Sequence, residues 1–366
     1  MPVTRKSLLS GGLAVTLLAA SGYLTVQLRD RDRQPAAGSS APLITAAAAP
    51  SPATDAGTAR AAATAQYRYE RLAGPDRTVV RDARGGVVAT LTDNARTAVL
   101  AGPSRTFAEP GTTTATVVTD SWVRLMPQAW KPGAEQEGWF RTWFQQSLGS
   151  TADDVLAAAT QYVAGSPAEK DAKGVRFKGD ASFGPLNPNG SAGNDLRLEQ
   201  TDFFDYLGVP YTFADKVTRQ PDKTRYGAFD CSGFVRMVYG YRSGYPLLSK
   251  DASGPGLPRT ANGLARMGPG VPVIPLATAA GSDTTLRPAS IDPLQPGDLV
   301  FFEIDARTGA RLDHTGIFLG LDTDGHPRYI SSREEADGPT FGDKGGTARL
   351  DDNGMYAKGL RSAKRL

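Results

Sequence analysis

The pattern of apolar and polar positions changes several times along the chain. An apolar run extends from Leu8 to about Val26 and is followed by a segment dominated by Ala, Pro, Ser, Thr and Gly. Short β-like runs separated by turn residues begin near Tyr67, and the C-terminal half combines helical spacing with apolar strands. These changes predict segments at 1–28, 29–66, 67–164, 165–198 and 199–366.

Residues 1–28 have the pattern of a secretory signal. The basic pair Arg5-Lys6 precedes the apolar run, and small residues stand at Ala19-Ala20-Ser21. Because the run approaches the roughly 20 residues that span a bilayer, an uncleaved anchor through residues 8–28 stays open beside a cleaved signal peptide. Either form predicts a protein that is secreted or held in the cell envelope. Residues 29–66 bury too little apolar surface to offset their ordering entropy, which predicts a disordered tether.

Residues 67–164 are predicted to form a small β-rich region with one helix over 152–163. Four tryptophans lie in or just beyond its strands, either as a glycan-binding face or, as we favour, as core packing. A polar, Gly/Pro/Asn-rich linker is predicted over 165–198. The candidate strands are Thr78–Val80, Val87–Leu91, Thr97–Leu100 and Thr114–Val118.

Residues 199–366 are predicted to form an α+β domain, in which helices are followed by an antiparallel meander. A short helix over 202–207 precedes an amphipathic helix that begins near Cys231 and buries Phe234, Val235, Val238 and Tyr239. A long loop rich in Gly, Pro and Ser fills 240–292. The predicted strands are Leu299–Ile304, His314–Leu321 and Arg328–Ser332.

The composition excludes several classes of partner and of metal or disulfide site. The 41 basic and 38 acidic residues nearly balance, so nothing suggests a nucleic-acid partner. A single cysteine excludes an intramolecular disulfide and a thiolate-rich metal site. We expect no metal and no organic cofactor, and the sequence implies no oligomer.

Cys231 is the first candidate for chemistry. Asp230 is a good N-cap, and a thiol in the first helical turn is expected to have a lowered pKa because of the helix dipole. The alternative is an inert buried thiol. If Cys231 needs an imidazole base, the chain offers two histidines, His314 and His326. His314 begins a predicted strand on which the helix would pack, whereas His326 lies in a turn and is expected to be solvated.

Five motifs follow one another along the C-terminal half of the chain. They are Val209-Pro-Tyr211, Phe229-Asp-Cys-Ser-Gly-Phe234, Leu257-Pro-Arg-Thr260, Leu294-Gln-Pro-Gly-Asp-Leu-Val-Phe-Phe302 and Asp313-His-Thr-Gly-Ile-Phe-Leu-Gly320. Together these motifs resemble those of the NlpC family of cell-wall cysteine peptidases. The resemblance implies a papain-like fold and cleavage of peptidoglycan stem peptides, often beside a γ-D-glutamyl linkage to a diamino acid. It implies Cys231 as nucleophile, His314 as base, and Tyr211, Asp230 and Ser232 as residues that line the substrate site.

The chain departs from the family pattern in three places. The third catalytic position, commonly His, Asn or Gln, falls on Ser331, although a symmetric hairpin at Asp324-Gly325 would place Ser331 opposite Phe318 and far from His314. Asp313 or a backbone carbonyl are the alternative groups to orient the imidazole. Thr212-Phe-Ala-Asp215 replaces an expected glycine pair, and the loop before Asp292 is long.

The sequence therefore predicts an extracytoplasmic cysteine peptidase. An amidase or acyltransferase on the same fold, and a non-catalytic wall-binding protein, are the alternatives. The remaining charged groups are interpreted without a catalytic or binding role. We expect Glu334-Glu335 and the basic C-terminus (Arg361, Lys364, Arg365) to be solvated, and Asp298 to form a turn.

Overall fold

The computed structural model describes residues 67–109, 115–193 and 195–366. The predicted signal or anchor (1–28) and the predicted tether (29–66) lie outside the described residues. The described residues belong to one compact unit. Within the described ranges, no helix has both the length and the apolar character needed to cross a membrane.

A five-stranded antiparallel meander forms the N-terminal part of this unit. Its strands, in sequence order, are β1 (Arg68–Leu72), β2 (Arg77–Arg81), β3 (Val87–Thr92), β4 (Thr97–Ala108) and β5 (Thr116–Leu125). The predicted strands are confirmed in the described residues, from which Thr114 is missing. The prediction of one helix over 152–163 is wrong in number, because α-helices span both Gly138–Ser147 and Val155–Thr160. Trp122 and Trp130 are buried in a cluster with Phe140 and Phe144, and Trp139 and Trp143 pack against the same cluster. The tryptophans therefore serve as core packing, which is the interpretation that the sequence favoured.

The segment predicted as a linker, 165–198, folds onto the C-terminal domain. It carries the short antiparallel pair β6 (Glu169–Lys170) and β7 (Arg176–Lys178). The backbone N–H of Gly193 donates to the Glu335 carboxylate at 2.6 Å, and the N–H of Arg197 donates to the carboxylate of Glu334 at 2.5 Å. These contacts bring the segment beside the strand that precedes Glu334.

A six-stranded antiparallel sheet forms the C-terminal half. Its strands, in spatial order, are β10 (Val271–Ile274), β15 (Leu360–Arg365), β11 (Leu299–Phe302), β12 (His314–Leu321), β13 (Pro327–Arg333) and β14 (Gly338–Thr340). The predicted meander of β11, β12 and β13 is confirmed. The expectation of a solvated C-terminus is wrong, because β15 lies between β10 and β11. Arg365 is 1% exposed and pairs with Asp298 at 2.7 Å, and the Lys364 ammonium donates to the carbonyls of Leu264 and Gly268.

The hairpin between β12 and β13 is not symmetric about Asp324-Gly325. Phe318 pairs with Tyr329, and the register shifts between Phe318 and Gly320, whose φ is +114°. Continued along the strands, this register places Ser331 opposite Gly316 and Arg333 opposite His314. A Cβ built on Gly316 would lie 3.0 Å from Cβ of Ser331, which agrees with that placement.

The strands are β1 Arg68–Leu72, β2 Arg77–Arg81, β3 Val87–Thr92, β4 Thr97–Ala108, β5 Thr116–Leu125, β6 Glu169–Lys170, β7 Arg176–Lys178, β8 Tyr211–Thr212, β9 Thr218–Arg219, β10 Val271–Ile274, β11 Leu299–Phe302, β12 His314–Leu321, β13 Pro327–Arg333, β14 Gly338–Thr340 and β15 Leu360–Arg365. The α-helices are α1 Gly138–Ser147, α2 Val155–Thr160, α3 Phe203–Leu207, α4 Cys231–Val235, α5 Ala261–Arg266 and α6 Met355–Gly359. Three 3₁₀ turns (Ala134–Gln136, Lys223–Arg225, Ala306–Thr308) and a π-helix (Arg236–Arg242) complete them.

Candidate active site

Helix α4 begins at Cys231, as predicted. The Asp230 carboxylate accepts the backbone N–H of Gly233 at 2.7 Å and the Ser232 hydroxyl at 3.0 Å, which is the geometry of an N-cap. Gly233 has no room for a side chain, because a Cβ there would lie 2.4 Å from the carbonyl oxygen of Thr201. The helix start is therefore packed tightly against the residues that precede α3. The α-helical hydrogen bonding gives way after one turn to the π-helix Arg236–Arg242.

Two buried ion pairs lie behind this helix start. Arg259, from the Leu-Pro-Arg-Thr motif, contacts the Asp230 carboxylate at 2.7 Å and the Ser232 hydroxyl at 2.8 Å. Arg236 is fully buried and pairs with Asp202 at 3.0 Å, while Arg259 also approaches Asp202 at 3.5 Å. The pairs link α4 to the N-cap of α3, so the position of Cys231 depends on several charged side chains.

Cys231 and His314 line one cavity of about 1060 Å³. Helix α4 contacts both β12 and β13. The Cys231 Sγ lies 3.9 Å from the carbonyl oxygen of Asp313, the residue directly before His314. Packing of the helix on the sheet thus brings together the two residues that the sequence selected as nucleophile and base.

The pKa of Cys231 differs from the expectation, and that of its partner His314 is also shifted. Burial, followed by the nearby carboxylates of Asp230 and Glu199, raises the pKa of the Cys231 thiol well above its ordinary value. Burial and the positive charge of Arg333 lower the pKa of His314 to about 3. The expectation of a lowered thiol pKa is therefore wrong, because loss of water and two negative charges outweigh the helix terminus. At neutral pH the site holds a thiol and a neutral imidazole.

His314 lacks the hydrogen bond expected to orient it. Its Nε2 is buried and has no partner within the described residues. The Ser331 hydroxyl instead accepts Nε–H of Arg333 at 3.1 Å. The Asp313 carboxylate accepts the backbone N–H groups of Ile304 and Asp305, at 3.0 and 2.8 Å. A catalytic role for Ser331 stays a prediction, and ring packing against Phe302 and Tyr356 holds the imidazole.

The residues predicted to bind substrate fall into two groups. Asp230 and Ser232 line the cavity. Tyr211 is not among the lining residues, because its ring packs on Phe203 and Phe213 with centroids 4.7 and 5.0 Å away. Phe213 is one of the residues that replace the family's glycine pair, and it is 2% exposed. Substrate binding by Tyr211 stays a prediction that its position does not favour.

The cavity wall includes groups that the sequence did not select. Glu199 lies at its rim, where burial and the charges of Asp230 and Glu334 raise the pKa of its carboxyl to about 7. Glu334 and Glu335 also line the cavity, so they form part of the site's wall. The Leu-Pro-Arg-Thr motif could have identified Arg259. No local pattern marks Glu199 or Tyr356.

His326 lies away from the cavity lining and pairs with Asp351 at 2.7 Å, in agreement with its predicted place in a turn. Within the described ranges, no group of three or more His, Cys, Asp or Glu side chains is arranged to hold a metal ion.

Residues 208–338 match the model of the NlpC/P60 family. This part of the chain is an NlpC/P60 domain. Proteins of the family are generally cell-wall peptidases. The match includes Cys231, His314 and Ser331, whereas Glu199 and Tyr356 lie outside it. The predicted family resemblance is thus confirmed.

Two solved structures resemble the chain weakly. A Staphylococcus aureus protein described as similar to lipoprotein, NLP/P60 family, is 22% identical over 44% of this chain and 38% of its own length, with a TM-score of 0.24. An NlpC/P60 family protein from Bacillus cereus is 15% identical over 76% of this chain and 82% of its own, with a TM-score of 0.25. At such scores the superpositions add nothing to the family match. No curated protein matches the chain.

Proposed function

We propose that this protein is a secreted or envelope-held cysteine peptidase with a papain-like NlpC/P60 domain that hydrolyses peptidoglycan stem peptides. The bond is of the γ-D-glutamyl–diamino acid type that the family resemblance implies. One observation carries the proposal: Cys231 and His314 line the same cavity, with Sγ beside the residue that precedes His314.

In this mechanism, the thiol proton of Cys231 is transferred to His314 while the sulfur attacks the scissile carbonyl. As Sγ bonds to the scissile carbonyl carbon, His314 takes the thiol proton and the C=O electron pair moves to oxygen. Because Nε2 is buried, Nδ1 is the ring nitrogen on the cavity side and takes this proton. Collapse of the intermediate breaks the C–N bond, and the imidazolium protonates the leaving amine. Water then hydrolyses the thioester with His314 as base.

The charges of the cavity wall suit a short peptide that carries both carboxylates and amines. Arg259 and Arg311 offer guanidinium groups, while Glu199 and Glu334 offer carboxyl groups. Backbone N–H groups at the start of α4 are placed to help stabilise the oxyanion. A volume of about 1060 Å³ accommodates several residues of a stem peptide.

Mass spectrometry of defined muropeptides tests the proposal. The wild type is expected to release fragments cut at the γ-D-glutamyl–diamino acid bond, and Cys231→Ser is expected to release none. His326→Ala is the matched control, since His326 lies outside the cavity lining, and it should cleave like the wild type.

Other outcomes separate the alternatives. Wall binding without released peptides from the wild type contradicts the peptidase and indicates a binding protein. Preferential transfer of the acyl group to added amines indicates an acyltransferase, which keeps Cys231 and His314 but changes the acceptor.

A further inference from the structure

Tyr356 is a cavity residue whose hydroxyl has no hydrogen-bond partner among the described residues. It lies in α6, is 4% exposed, and lines the same cavity as Cys231 and His314. Its ring centroid is 5.1 Å from that of the His314 imidazole. It lies beyond the residues that match the NlpC/P60 family model.

A buried tyrosine hydroxyl usually forms a hydrogen bond. The hydroxyl of Tyr356 forms none within the described residues, although the side chain is nine-tenths buried. Nε2 of His314 is both unpartnered and fully enclosed, whereas the hydroxyl oxygen of Tyr356 is unpartnered but not fully enclosed. The hydroxyl is therefore accessible from the cavity, where a bound substrate can supply the missing partner.

The ring of Tyr356 is held on several sides. The rings of Phe302 and Tyr329 lie 5.6 and 5.7 Å away. The guanidinium carbon of Arg333 lies 4.6 Å from the ring centroid. Gly346, with φ of +100°, approaches so closely that a Cβ there would lie 2.9 Å from the ring. These contacts keep the hydroxyl in one position, as a preorganised donor requires.

Arg333 is itself fixed by neutral groups. Its guanidinium donates to the carbonyls of Gly342 and Gly346 and to the Ser331 hydroxyl. It is 1% exposed, and within the described residues it forms no ion pair with a carboxylate. Its charge is therefore left to act on the ring of Tyr356 and on His314.

Tyr211, which the family resemblance places near the thiolate, packs outside the cavity lining. We propose that Tyr356 fills this role as a catalytic residue whose hydroxyl donates a hydrogen bond to the carbonyl oxygen that Cys231 attacks. Arg333 is a positioning residue that holds the Tyr356 ring. The inference rests on the proposed acyl transfer at Cys231.

A hydrogen-bond donor is needed at the step that forms the tetrahedral oxyanion. When Sγ bonds to the carbonyl carbon, the C=O electron pair moves to oxygen, and a positioned O–H stabilises the new negative charge. Burial raises the pKa of Tyr356, so its hydroxyl keeps its proton and remains a donor at neutral pH.

Two reactions of Cys231 separate this role from packing, and neither needs peptidoglycan. p-Nitrophenyl acetate acylates the thiol through a tetrahedral oxyanion, with the C–S bond formed and p-nitrophenolate expelled. Iodoacetamide alkylates the thiol by displacing iodide, without an oxyanion. Because the chain has one cysteine, mass spectrometry of the peptide that contains Cys231 follows both reactions at a single site, and Cys231→Ser reports acetylation of other groups.

We expect Tyr356→Phe to slow acylation by about 10²-fold while alkylation stays within twofold of the wild type. Tyr226→Phe, at a residue 51% exposed, is the matched control and should change neither rate. Arg333→Met should slow acylation, since the ring loses its support. Circular dichroism and the melting temperature confirm that each variant is folded.

Equal acylation in Tyr356→Phe and the wild type overturns the inference. An equal fall in the acylation and alkylation rates of Tyr356→Phe also overturns it, because it assigns Tyr356 to packing around His314. A loss of acylation rate that is confined to Tyr211→Phe overturns it as well. Failure of p-nitrophenyl acetate to acylate Cys231 in the wild type also overturns the inference. A wild type that is acylated but releases no muropeptide refutes the proposed function alone.

Discussion

The Arg259 guanidinium lies 2.7 Å from the carboxylate of Asp230, and that carboxylate also caps the helix that begins at Cys231. One interaction therefore connects the Leu-Pro-Arg-Thr motif to the position of the thiol. Arg259 also lowers the pKa of the Cys231 thiol, against the larger effect of burial.

Arg259→Met leaves the buried carboxylates of Asp230 and Asp202 with one guanidinium fewer. We expect the free energy of unfolding to fall by about 3–5 kcal/mol, because an uncompensated charge remains buried. Alkylation of Cys231 at pH 8 should also slow, since the thiol loses a nearby positive charge. Urea unfolding and iodoacetamide kinetics measure the two effects. Arg266→Met, at an exposed residue of α5, is the control, and an equal response in both variants would contradict the prediction.

His314 makes stability depend on pH. Its folded pKa, lowered to about 3, lies below the ordinary value of 6.5. Below pH 6.5 the unfolded chain therefore binds a proton that the folded protein does not, and stability falls with pH. Between pH 7 and 5 the loss from this group is about 2 kcal/mol.

His314→Asn isolates that contribution. The Glu199 carboxyl, whose folded pKa is raised to about 7, acts in the opposite direction by binding a proton in the folded state as pH falls. The prediction is therefore the difference between wild type and variant, which should favour the variant by about 2 kcal/mol at pH 5 relative to pH 7. Urea midpoints at both pH values measure it, and parallel curves would refute the buried neutral imidazole.

Glu199 is expected to control the reactivity of the thiol. Its negative charge raises the pKa of Cys231, and it titrates near pH 7. Glu199→Gln should increase the alkylation rate at pH 8 several-fold and leave the rate at pH 5 unchanged, because the native carboxyl is then already neutral. Rates from pH 5 to 9 test this. Glu169→Gln, at an exposed residue of β6, provides the control, and a uniform change at every pH would count against the charge effect.

Ser331→Ala removes the acceptor of Arg333 Nε. We expect a loss of about 1–3 kcal/mol of stability, because a buried donor is left unpaired. Alkylation of Cys231 should not change, since within the described residues the hydroxyl forms no hydrogen bond with His314. Ser253→Ala, at an exposed position, should leave stability unaltered. Slower alkylation in Ser331→Ala at preserved stability would instead support an orienting role.

Local contacts explain what the sequence determined by itself. An N-cap is a contact between residues three apart, so Asp230 and the start of the Cys231 helix follow from a few neighbouring positions. The short β-like runs likewise identified β2 to β5 and the meander of β11, β12 and β13. With two histidines in the chain, the choice of His314 also needed no structure.

Burial, strand placement and pKa values that depend on contacts between distant parts of the chain were decided only by the tertiary structure. The strand at Leu360–Arg365 inserts beside β11 and buries charges that looked solvated. The register beyond the shift near Gly320, continued along the strands, places Arg333 across from His314. Helix α6 brings Tyr356 to the cavity from beyond the recognised motifs. The raised pKa of Cys231 reversed the expectation, and the lowered pKa of His314 was not foreseen, for the same reason. Desolvation depends on everything that excludes water from a group, and no stretch of neighbouring residues encodes it.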